Sequence, residues 1–158
     1  MPATLHILTG KIASGKSTLA RQLAAEPDTV LLSEDNLLST LYEGDMNTLA
    51  DYVRNSARLR EGLLSHIVEL LNAGLSVVLD FAANTVDQRH WMRRIIDASG
   101  CLHTLHFLDV PNEICRARMH TRNARGEHPF QPNDEQFDWI TDHFVPPHER
   151  EGFEVSIY

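Results

Sequence analysis

The chain has 158 residues, 42% of them hydrophobic, enough for one domain spanning residues 1–158 with its own core. A formal charge of −8 excludes a surface that grips nucleic acid or anionic lipid over its whole extent, although a local basic groove stays open. Two cysteines, no charged-then-apolar leader and no apolar run near ~18 residues predict a soluble, cytoplasmic chain with no disulfide framework and no membrane contact.

Residues 4–9 read as a buried strand and residues 17–25 as a helix, and between them Gly10-Lys11-Ile12-Ala13-Ser14-Gly15-Lys16-Ser17 fits the pattern G-x-x-x-x-G-K-[ST]. The strand–loop–helix context is what the chemistry requires. Glycines let the backbone wrap an anion, and successive amides at a helix N-terminus form a nest of partial positive charge. Lys16 then reaches the β- and γ-phosphates of a nucleotide, and the Ser17 hydroxyl oxygen suits Mg²⁺. The candidate nucleotide-binding set is Gly10, Lys11, Ile12, Ala13, Ser14, Gly15, Lys16, Ser17 and Thr18, with the Lys11 side chain itself expected in solvent.

Pro27 stops the helix, and residues 29–32 form a second strand ending at Ser33-Glu34-Asp35. Ligands of open α/β sheets bind at that edge, so Asp35 is placed to accept a proton from an attacking hydroxyl. Ser33 or Asp35 could equally serve as a helix cap, and Glu34 reads as a solvated first-turn acid. Residues 45–73 carry apolar side chains at a helical period, Leu49, Tyr52, Val53 and Ile67 among them, with Arg54, Arg58 and Arg60 on the expected polar face. Residues 75–80 are a central strand tipped by Asp80, which is placed to steady Mg²⁺ or to hold Ser17.

Thr85 and Gln88 have capping-box spacing ahead of a helix that Gly100 ends. A fourth strand at 103–108 leads through Pro111 into a helix where Arg118, Arg122 and Arg125 share one face and Arg116 points away. Three cations on one stripe suit an anionic triphosphate. Residues 126–132 have turn composition and read as a short lid, Asn133 caps a helix, and residues 154–158 alternate as an edge strand does.

These residues resemble the P-loop kinase group that includes adenylate kinases, chloramphenicol phosphotransferase, zeta-toxin-like kinases and the kinase domain of polynucleotide kinases. The resemblance rests on residues 10–17, Asp35, Asp80, and Asp109-Val110-Pro111 followed by Arg118 and Arg122. It implies an α/β, three-layer P-loop NTPase fold with a five-stranded parallel sheet ordered 2-3-1-4-5 between helices, and an adenylate-kinase-like lid at roughly 118–132. It further implies ATP and Mg²⁺ as cofactors, Arg118 against the adenine, Arg122 on the phosphates and Asp35 as the base. Two departures narrow the acceptor. Asp80-Phe81-Ala82-Ala83-Asn84 lacks the proline and arginine that adenylate kinases carry there, and Leu38 stands where polynucleotide kinases often have an arginine. The expected activity is phosphoryl transfer to the hydroxyl of a small molecule by a monomer or weak homodimer, with Lys16, Asp35 and Arg122 catalytic and Ser17 and Asp80 at the metal. Phosphorylation of a nucleic-acid 5′-hydroxyl or a nucleotide sugar, and an ATP-binding switch with no acceptor, are the alternatives.

Overall fold

The computed structural model describes residues 2–126 and 131–158. Its elements run β1 (Thr4–Gly10), α1 (Lys16–Ala24), β2 (Thr29–Ser33), α2 (Glu34–Leu41), α3 (Leu49–Asn72), β3 (Ser76–Asp80), α4 (Val86–Ser99), β4 (Leu102–Leu108), α5 (Asn112–Arg125), α6 (Asp134–Asp142) and β5 (Val155–Ile157). All five strands are parallel and ordered β2-β3-β1-β4-β5, as the resemblance implied. Strand β1 is central, and the chain leaves it first for β2 on one side and later for β4 on the other. The segment after β1 therefore lies at the point where the strand order reverses, the crevice in which α/β sheets bind ligands.

Alternation along the strands builds the layers. Leu5, Ile7, Val77, Leu79 and Leu105 face α3 and α4, where Leu59, Ile67, Leu71, Trp91, Met92 and Ile95 meet them. Leu8 and Val78 turn to the opposite face, against Ala20 and Leu23 of α1. A third cluster joins Cys115 and Met119 of α5 to Phe137 of α6 and to Ile12 and Ala13 of the loop after β1, so the helix carrying the arginine stripe is packed directly on that loop. Among the described residues strand β5 pairs with β4 alone and is exposed throughout, as its alternating pattern predicted.

Several local expectations change. Helix α3 begins at Leu49 rather than 45, because Thr48 and Asp51 close a capping box ahead of it while Asp45 turns back to Arg54 and Asn55. Leu49 and Val53 fit the helical period but stay exposed, since the first turns of α3 pack through Asn55 and Ser56. Gln88 does not complete the box with Thr85. It reaches one residue further, taking the Asn84 amide at 2.8 Å, while Thr85 caps alone.

The largest correction concerns Glu34 and Arg60, both read as solvated and both buried, at 2% and 6% exposure. The Glu34 carboxylate accepts from the Ala82 amide at 2.9 Å, the Ser56 hydroxyl at 2.6 Å and Arg60 Nε at 3.1 Å. Arg60 also donates to the Ala82 carbonyl at 2.6 Å and lies 5.6 and 5.0 Å from the Phe81 and Trp91 ring centres. A buried ion pair is tolerated only when its remaining donors and acceptors are met, and here they are.

Arg89, which shows no solvent-accessible surface, makes a second such brace. It bonds Glu151 through Nε at 2.8 Å and the carbonyls of Ala83 and Val145 through Nη1, both at 2.8 Å. The C-terminal segment is thereby strapped to the turn after β3. Of the expected lid, residues 118–125 belong to α5, Gly126 ends that helix in the left-handed region at φ 64°, and residues 127–130 lie outside the described residues. No helix among the described residues is long and apolar enough to cross a membrane.

Candidate active site

The loop between β1 and α1 is shaped by two requirements. Gly10 is a close approach: a Cβ there would stand 2.5 Å from Ser14 Oγ and 3.0 Å from the Leu108 carbonyl oxygen. Gly15 has φ 105° and Ala13 φ 61°, and the left-handed conformation at Ala13 costs about 1–2 kcal/mol, a strain that the surrounding packing holds in place. Alternation of this kind turns successive amides inward as an anion-binding nest. Beneath it Ser14 is buried, and its Oγ has no partner among the described residues.

Lys16 arches over the loop, donating from Nζ to the carbonyls of Gly10 at 2.5 Å and Lys11 at 3.1 Å. Burial lowers its ammonium pKa to about 8; Asp80 and Asp35 pull the value up and Arg122 pushes it further down. Lys11, expected in solvent, instead donates to the Val110 carbonyl at 3.3 Å and ties the loop to the approach of α5.

The Ser17 hydroxyl donates to Asp80 Oδ2 at 2.9 Å, joining the first turn of α1 to the tip of β3 as the sequence suggested. Ser33 caps α2 by accepting the Asn36 amide at 3.3 Å, which leaves Asp35 in the first turn, at the edge of the same cavity. That cavity, about 900 Å³, is lined by Ile12, Ala13, Gly15, Lys16, Ser17, Thr18, Asp35 and Asp80 together with Arg118, Arg122 and Arg125. Gly10, Lys11 and Ser14 belong to the same loop but are not among the residues that line this cavity. Arg122 is half-buried, and its Nε has no hydrogen-bond partner among the described residues. Burial lowers its pKa, with Asp35 opposing. Arg116 does point away, pairing with Asp134 and Asp138 of α6.

The site fits a nucleoside triphosphate with a hard divalent cation. Arg122 Nε, a buried donor without a partner among the described residues, belongs to the same cavity wall as Lys16 and the loop, all of which favour an anion. The oxygen pair Ser17–Asp80 suits Mg²⁺, which is held by one or two carboxylates plus phosphate oxygens. No group of three metal-binding side chains occurs among the described residues, so the phosphates would complete the coordination.

Asn84 was not legible as part of this site. Its Oδ1 accepts the Gly10 amide at 3.2 Å and lies 3.4 Å from Thr9 Oγ1, while its own carbonyl accepts the Val145 amide at 2.7 Å. One residue thus connects the start of the phosphate loop, through its side chain, to the C-terminal strap, through its backbone carbonyl. Spacing alone carries no signal for a bond across 74 residues.

Fold and site together define a small protein of the P-loop class: a parallel 2-3-1-4-5 sheet, a phosphate loop at its switch point, and an arginine-bearing helix over the loop. A family profile for AAA_33, described as an AAA domain, matches residues 5–147, and the chain belongs to that family. No curated protein sequence matches it. Among solved structures, it is similar to a provisionally named kinase of Chloroflexus aurantiacus j-10-fl, with TM-score 0.76 and 20% identity over 99% of this chain and 85% of that one. Kti12 of Chaetomium thermophilum, solved with ADP-AlF3, has TM-score 0.69 and 17% identity over 98% and 88%. The APS kinase CysC of Mycobacterium tuberculosis, solved with AMPPNP and APS, has TM-score 0.58 and 23% identity over 89% and 96%.

Proposed function

We propose that the chain is an ATP- and Mg²⁺-dependent kinase that transfers the γ-phosphoryl group to a hydroxyl of a small molecule, with Asp35 as the base. The observation that carries this is one cavity holding Lys16, the Ser17–Asp80 pair and the α5 arginines with Asp35 at its edge. The loop amides and Lys16 bind the β- and γ-phosphates, and Ser17 and Asp80 hold the ion. Magnesium, when bound, neutralises charge on the phosphate oxygens. The acceptor oxygen attacks the γ-phosphorus as its proton passes to Asp35, the bond from phosphorus to the β–γ bridging oxygen breaks, and ADP leaves. Arg122, with Arg118 and Arg125 on the same wall, counters the charge that spreads over the equatorial oxygens.

A small acceptor is favoured over a polynucleotide because the arginines outside this wall are largely spent on the chain's own acids. Arg54, Arg60, Arg89, Arg94 and Arg116 each pair with a carboxylate. The chain is therefore short of cations for a long phosphate backbone. An ADP-release screen over hydroxyl compounds tests the activity, and Asp35→Asn tests the base. We expect Asp35→Asn to lower turnover by at least about 100-fold, the low end of general-base effects, with Mg-ATP affinity within about threefold of wild type. Undiminished turnover would remove Asp35 from the chemistry.

A further inference from the structure

The cavity continues past the phosphate loop along α1. Its lining includes Leu19 and Gln22 of α1, Ala117 and Thr121 of α5, and Tyr158. Positions 16 and 22 of a helix lie ~9 Å apart along its axis, so the cavity reaches well beyond Lys16 and has room for the nucleoside of a triphosphate pinned there.

Tyr158 is held there by two anchors. Its amide donates to the Phe107 carbonyl at 2.9 Å, extending the β4–β5 ladder by one bond. Its hydroxyl lies 2.7 Å from His106 Nδ1, and His106 Nε2 lies 3.0 Å from His6 Nδ1. His106 is 5% exposed, while the tyrosine itself is 57% exposed. Burial lowers both imidazole pKa values, that of His106 to about 4 with His6 adding to the shift. Both rings are therefore neutral near pH 7, and the three groups form one uncharged chain of hydrogen bonds. An exposed ring fixed at its backbone and at its hydroxyl has given up its freedom on folding, so a ligand that stacks on it need not order it again.

We propose that Tyr158 is the wall on which the base of the bound nucleotide stacks, with His106 and His6 as the residues that position it. The inference rests on the reading of the loop as a nucleotide site and adds to it the surface that distinguishes a nucleoside from a bare phosphate chain. Every base has a π-face, so this wall supplies affinity for nucleotides as a class rather than a choice among bases.

Calorimetric titration of the full chain with two probes, Mg-ATP and Mg-tripolyphosphate, tests it. Tyr158→Ala is expected to weaken Mg-ATP by roughly 10- to 100-fold, the span of one base–aromatic stack, and to leave Mg-tripolyphosphate within about twofold. Tyr158→Phe keeps the ring but frees it from His106, and its Mg-ATP affinity is expected to fall by about threefold, roughly the worth of one neutral hydrogen bond. Unchanged Mg-ATP affinity in Tyr158→Ala would overturn the proposal. So would equal losses for both probes, which would mark Tyr158 as part of the scaffold. A wild-type chain that binds tripolyphosphate as tightly as ATP would overturn this inference alone, whereas one that binds neither would overturn the kinase reading with it.

Discussion

Behind the tips of β2 and β3, Arg60 and Arg89 have all three guanidinium nitrogens bonded to carboxylates or carbonyls. In front of them, on α5, Arg122 keeps a buried Nε with no partner among the described residues. The two regions use the same side chain for opposite ends. A guanidinium saturated by its own protein cross-links distant segments and offers nothing to a ligand. One left incomplete keeps a donor whose desolvation an incoming anion can offset, at the expense of the ligand-free fold.

Arg122→Ala and Arg89→Met separate the regions most widely. Arg122→Ala is expected to cost on the order of 10³ or more in turnover, the effect of losing an arginine that stabilises transferring phosphate. Its melting temperature should stay within about 2 °C of wild type, because removing an unsatisfied group disrupts no brace. Arg89→Met leaves the half-buried Glu151 without its cation and the Ala83 and Val145 carbonyls without their donor, which together are expected to cost about 3–5 kcal/mol. Thermal unfolding should then begin roughly 6–20 °C earlier. Equal thermal losses for the two variants would erase the distinction.

The regions differed just as much in what the sequence disclosed. The front was legible because its signals are local. Residues 10–17 are contiguous, and Arg118, Arg122 and Arg125 declare a shared face by spacing within one helix. The strands follow from short apolar runs, with Asp80 at the tip of β3 and Asp35 just past the end of β2. The back was not legible, because its bonds join residues 26 and 62 positions apart, Glu34 to Arg60 and Arg89 to Glu151. In a hydropathy pattern each of these is a polar residue on a helix or in a turn, and the pattern assigns such residues to water. The same blindness hid His6 and His106, which meet only because β1 and β4 are neighbours in the sheet.

Asn84 belongs to both regions, and Asn84→Ala should show it with a smaller effect than either arginine change. Loss of its side chain strips the Gly10 amide of its partner, while the bond from its backbone carbonyl to the strap survives. An unsatisfied buried group costs about 1–3 kcal/mol. We expect part of that cost in unfolding by urea and part as weaker Mg-ATP binding, since the Gly10 peptide opens the phosphate loop. A variant that lost stability alone would assign Asn84 to the brace and remove it from the site.

The subtlest difference between the regions is protonic and lies at Lys16. Its pKa of about 8 in the ligand-free chain is set first by burial, against the opposing pull of Asp80 and Asp35. The unfolded chain holds this proton up to the ordinary lysine range near 10.5, so between about pH 8 and 10.5 the folded state binds fewer protons and this residue makes stability rise with pH. A phosphate beside the ammonium group restores its charge, and Mg-ATP should abolish that rise. At pH 8 about half of the Lys16 side chains are neutral, so binding should take up about half a proton. Below about pH 7 the uptake from this group should vanish, because the side chain is already charged. Calorimetry of Mg-ATP binding at pH 8, in buffers that differ in ionisation enthalpy, reads the uptake directly. A value near zero would mean that the loop carbonyls of Gly10 and Lys11 keep Lys16 fully charged without a ligand.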